Sequence, residues 1–157
     1  MAKYITPTLT IVSNKYDATT NPGPTSSPIS ISVTDLLDVT QVDSNIVTVA
    51  TDAAPLFTVA NYTAGTTAGT DGGFVFLKNL TEGLTTTADI YIGHNPTGGT
   101  GAELEDSGGA DEDRLMTLKP GEFAFFPWDM EGEMTVDASA AVDDALEAIL
   151  FVRTGTA

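Results

Sequence analysis

Carboxylates are the most abundant reactive groups in the chain: 22 Asp and Glu stand against six Lys and Arg. Fourteen of them fall within residues 103–147, where only Arg114 and Lys119 oppose them. The tightest group is Glu103, Glu105, Asp106, Asp111, Glu112 and Asp113, set among glycines. Hard cations favour flexible, oxygen-rich loops, which makes Asp106, Asp111 and Asp113 the candidate ligands of a calcium ion. Their spacing departs from the EF-hand pattern, and a solvated acidic loop is the plain alternative. Calcium is the only cofactor this chemistry leaves open. Paired glycosidase acids would sit on rigid strand ends in an aromatic cleft, and no such pair stands out.

The single histidine, His94, lies in a GHNP turn. No Ser or Asp stands at nucleophile-elbow spacing from it, and there is no GxSxG. Nothing matches HExxH, a P-loop or a dinucleotide fingerprint. The glycines of GGTGAELEDSGG lack both a phosphate-binding lysine and a following helix, so they read as loop glycines. The absence of cysteine removes disulfides, thiolate chemistry and Cys-based metal sites. The expectation is a protein that is not an enzyme. Asn61-Tyr62-Thr63 and Asn79-Leu80-Thr81 match the N-glycosylation pattern. The opening residues hold no apolar core of a secretory signal, so both read as chance matches.

A net charge of -16 argues against a nucleic-acid surface, since no set of cations could neutralise a row of phosphates. It equally disfavours an anionic membrane face, and no apolar stretch approaches the ~20 residues of a span. A cationic partner surface, bound metal ions or plain solubility remain.

The elements that must position these groups are strands. A chain of 157 residues fits one domain with a real core. Threonine occurs 25 times, and its branched β-carbon suits a pleated sheet. Fifteen Gly and eight Pro supply the turns between strands. Residues 1–28 form an N-terminal arm or extended loop, because Pro22, Gly23, Pro24 and Pro28 exclude a helix or central strand. Pro22 and Pro24 are candidate interface residues there, and residues 8–12 can still form a strand. Residues 29–157 form the sandwich domain.

Strands are expected at 29–33, 46–49, 56–59, 74–77, 87–92, 114–118, 122–126 and 133–137. The 46–49 and 56–59 strands suit a hairpin or an adjacent pair. Residues 64–73 and 95–113 read as long polar loops, with Glu82-Gly83 a shorter turn. Residues 138–150 contain good helix formers, and Val142, Leu146 and Ile149 would line one helical face. The favoured reading is a turn followed by a closing strand at 146–153, with Leu146, Ala148, Leu150 and Val152 on one face. The fold class is therefore all-β: a β-sandwich or jelly roll of eight to ten short antiparallel strands.

Leu118-Lys119-Pro120-Gly121-Glu122 carries the type II signature, with Pro120 at i+1 and Gly121 at i+2. Trp128 and Phe126 follow at a strand end as core caps or interface anchors.

FVFLKNL at 74–80, ADIYIG at 88–93, RLMTLKPGEFAFFPW at 114–128, EMTVDASA at 133–140 and LEAILFVR at 146–153 occur in succession. This C-terminal half resembles small β-rich virion proteins of tailed bacteriophages, most of all head-decoration (cement) proteins. The resemblance implies a non-enzymatic structural protein on the outer capsid surface of the virion. Its implied partners are the major capsid protein, whose subunits it would bridge, and itself, as a dimer or trimer. Pro120 and Gly121 would be scaffold turn residues. A tail or fibre component is the nearest alternative reading, and a calcium-dependent carbohydrate-binding sandwich the next.

Overall fold

A computed structural model of the chain describes residues 3–12, 30–34, 37–62, 72–95, 114–130 and 132–153. Among them lie eleven strands: β1 (Lys3–Ile5), β2 (Thr8–Val12), β3 (Ser30–Thr34), β4 (Leu37–Val49), β5 (Ala54–Phe57), β6 (Gly73–Asn79), β7 (Ile90–Asn95), β8 (Arg114–Leu118), β9 (Phe123–Trp128), β10 (Glu133–Ala138) and β11 (Val142–Arg153). One 3-10 turn, Val59–Asn61, is the sole helical element among the described residues.

The chain divides into two compact units, Met1–Val39 and Thr40–Ala157. In the first, β2 and β3 form an antiparallel ribbon, and β1 pairs antiparallel with Leu37, Asp38 and Val39. The boundary expected between residues 28 and 29 lies outside the described residues.

The second unit holds two four-stranded sheets, ordered β4-β11-β6-β9 and β5-β10-β7-β8. The neighbours are nested: β4 lies beside β11, β5 beside β10, β6 beside β9, and β7 beside β8. Every connection except β7–β8 crosses from one sheet to the other. This is the winding of an eight-stranded jelly roll. Its strand count falls within the expected eight to ten.

Period-two alternation builds the core. In β6 the residues Gly73, Val75, Leu77 and Asn79 are buried, while Phe74, Phe76 and Lys78 alternate with them. In β11, Leu146, Ala148, Leu150 and Val152 turn inward, the face the sequence assigns them. Ile90 and Ile92 of β7 and Met134 and Val136 of β10 meet them from the opposite sheet in one apolar cluster. Burying side chains of this size contributes about 1.5–3 kcal/mol apiece.

Two prolines lie within strands, Pro55 in β5 and Pro127 in β9, and both strands are sheet edges. A residue without an N–H is tolerated there because one side of the ladder has no neighbour.

Several expected elements are redrawn. The 46–49 and 56–59 segments are not a hairpin: β4 and β5 belong to different sheets, and residues 50–53 carry the chain between them. The long polar loop of 64–73 ends earlier, since Gly73 opens β6. His94 lies within β7, in register with Met134, and not in a turn beyond it. The closing strand starts at Val142, four residues early. Asp143 and Asp144 are both exposed and Ala145 and Leu146 both buried, so the alternation slips once. Asp144 takes φ +49, and this kink absorbs the slip that the sequence reading assigned to a turn.

Candidate interaction surface

An antiparallel sheet with one wet face ordinarily alternates apolar inward with polar outward. The β4-β11-β6-β9 sheet breaks that rule. Its outward positions hold Phe74 and Phe76 on β6, Phe123 and Phe125 on β9, and Ile149 and Phe151 on β11. Strand register aligns them in rows: Phe151, Phe74 and Pro127 in one, and Ile149, Phe76 and Phe125 in the next. Phe74 stacks on Phe125 with ring centroids 5.5 Å apart, and Phe76 on Phe123 at 6.3 Å. Even so, Phe123 is 62 % exposed and Phe125 41 %. On β4, Val42 and Ile46 are exposed too, alternating with the core-facing Val47 and Val49. The apolar surface thus spans all four strands.

Charge is sparse on this face and mixed in sign. Glu147 of β11 pairs in register with Lys78 of β6. At the other end of β11 the Arg153 guanidinium lies 5.5 Å from the Phe74 ring centroid. Two of the chain's six cations therefore border the patch, whereas the chain as a whole carries -16.

A buried polar knot holds one end of the sandwich. Asn79 sits at an inward position and is fully buried. Its Nδ2 donates to the carbonyls of Ala88 and Leu118, each at 2.8 Å. Its Oδ1 accepts from the Thr81 amide at 2.9 Å and the Thr81 hydroxyl at 2.7 Å. All four hydrogen-bonding positions of the side chain are filled. The Asn79 main chain joins in, its amide donating to Glu122 and its carbonyl accepting from Gly121. The 80–89 and 119–122 connections both cross between sheets, so Asn79 ties two corners together and fixes where β6 ends and β9 begins.

The Pro120-Gly121 turn is one of those corners. The Glu122 amide donates to the Lys119 carbonyl at 2.9 Å, and Gly121 takes φ +81, as position i+2 of a type II turn requires. The Glu122 carboxylate closes it further by accepting from the Lys119 amide at 2.8 Å. The Lys119 ammonium pairs with Asp89, and this hydrogen bond raises its pKa.

Other residues singled out in the sequence fall elsewhere. Trp128 is not a surface anchor: it is buried with its ring 6.1 Å from that of Phe57, because the alternation of β9 turns it inward with Phe126 and Ala124. Pro22, Pro24, Asp106, Asp111 and Asp113 lie outside the described residues. Among the described residues, no three His, Asp or Glu are grouped to hold a metal ion. Burial removes Asn79 from any glycosylation role in the folded chain. Among the described residues, none gives the enclosed His94 Nε2 a hydrogen bond. Among the described residues, no helix is long and apolar enough to cross a membrane.

The Phe ladder was legible in FVFL and FAFF, whose outward positions should have been polar. Asn79 gave a weaker signal, a polar residue at a core parity.

No protein-family model matches the chain, and no curated protein or solved structure is significantly similar to it.

Proposed function

We propose that this chain is a structural virion protein, a capsid decoration protein that stabilises the major capsid lattice of a tailed bacteriophage. The observation that supports this reading is the phenylalanine face, an exposed apolar surface across four strands of a strongly acidic jelly roll. Such a surface recognises another protein surface by area and shape. The jelly roll is an architecture viral capsid proteins use, and an acidic exterior suits docking on a basic patch of a shell. The partners are the major capsid protein and further copies of the chain, at the outer surface of the particle.

Electron microscopy of the particle from which the chain is isolated tests the reading. Regular density outside an icosahedral shell, at its symmetry or pseudo-symmetry axes, is the expected result. Density confined to the tail would make it a tail or fibre component, and no particle at all would leave a free binding module.

A further inference from the structure

We infer that the phenylalanine face docks a second copy of this chain, sheet against sheet, about a two-fold axis that crosses β11 at Leu150. The inference rests on reading that face as a contact surface and names its occupant. Phe123 and Phe125 alone expose roughly 200 Å², a large share of the few hundred Å² in the largest patch of an ordinary monomer.

Charge selects the occupant and its orientation. Two chains of -16 repel at long range, so copies can meet only where the local charge is not acidic. On this face Lys78 and Arg153 balance Glu147 and Asp143, whose carboxylate accepts from the outward Thr48 hydroxyl of β4 at 3.4 Å, so the local charge is near neutral and meets that condition. Glu147 and Arg153 stand three residues to either side of Leu150, on the outward side of β11. A two-fold axis between the sheets, running across the strands, sets Glu147 of each copy over Arg153 of the other. Stacked sheets lie ~10 Å apart, a gap these two side chains can bridge together. The face is thus complementary to itself in charge as well as in apolar character.

Sedimentation equilibrium of the full chain at physiological salt tests this. The wild type should have twice the chain mass at tens of micromolar. The double variant Phe123→Asp/Phe125→Asp should be monomeric while keeping a cooperative melt. Glu147→Arg and Arg153→Glu should each weaken the dimer roughly tenfold in Kd. Combined, the two exchanges should restore it, a readout that does not depend on the phenylalanine variants folding. A monomeric wild type, an assembly other than a dimer, a dimer that survives the two aspartates, or charge exchanges that fail to rescue each other would overturn the inference. A dimer with no density on any particle keeps the inference and removes the virion role. Capsid density from a chain that sediments as a monomer does the reverse.

Discussion

The side-chain amide of Asn79 donates to the carbonyl of Leu118 at 2.8 Å, joining the end of a strand in one sheet to the end of a strand in the other. The same nitrogen donates to Ala88 just before β7, and the side-chain oxygen receives two bonds from Thr81. Four buried groups of three residues therefore meet on one side chain, with the Thr81 hydroxyl also 3.2 Å from the Ala88 carbonyl. The apolar strands alone would leave these corners free to slide.

Asn79→Ala should accordingly cost about 2–4 kcal/mol, since each buried group left without a partner costs roughly 1–3 kcal/mol. Thermal melts should fall by about 4–16 °C, at roughly 2–4 °C per kcal/mol for a chain of this size. Asn79→Leu should do no better despite filling the space, because the Leu118 carbonyl and the Thr81 amide still lose their partner. A melt within a degree of the wild type would show that the knot is incidental.

Two backbone positions with positive φ should both tolerate glycine and penalise a side chain that resists the left-handed region. Gly121→Ala should destabilise by about 1–2 kcal/mol, because φ +81 is unfavourable for a Cβ, while the exposed Glu82 carboxylate beside it can swing away. At exposed Asp144, with φ +49, Val should cost a similar amount, whereas Gly or Asn should be neutral within about 0.5 kcal/mol. Urea titrations of the four variants measure the contrast.

Tyr62 should govern the alkaline limb of stability. Its hydroxyl donates to Asp43 at 2.7 Å, and burial first, then this bond and the aspartate charge, raise its pKa above the usual phenol value. A phenol raised in the folded state contributes in full below about pH 10, and the contribution fades as the pH climbs beyond that value toward the folded pKa. Absorbance titration should show the Tyr62 phenol ionising only with unfolding, and Tyr62→Phe should remove that signal. If the full set of phenols ionises at the ordinary value in the folded protein, the coupling to Asp43 is absent.

Moderate salt should stabilise the chain. With 22 acids against six bases, mutual repulsion dominates and ions screen it. The melting temperature should rise from low salt to about 0.3 M. A steady fall over that range would mean that attractive pairs such as Lys119–Asp89 outweigh the repulsion.

Composition and alternation were enough to read the class of fold and several elements from the chain itself. The strands Thr8–Val12 and Arg114–Leu118 emerge with the expected bounds, and the inward face of β11 is the one that period two assigns. These features are local: branched side chains, turn residues and a parity of two act over a few neighbours. Pairing was not legible. β4 and β5 follow each other closely yet join different sheets, while β4 lies beside β11 from the far end of the chain. Which strands meet depends on how two apolar faces close over a shared core, a property of the whole chain rather than of any segment. For the same reason Asn79 read only as part of a glycosylation pattern until Ala88 and Leu118 were brought to its amide. Trp128 and Phe125 likewise stand three positions apart in one apolar run; period two sets them on opposite faces, and closure of the sandwich decides which of those faces is buried.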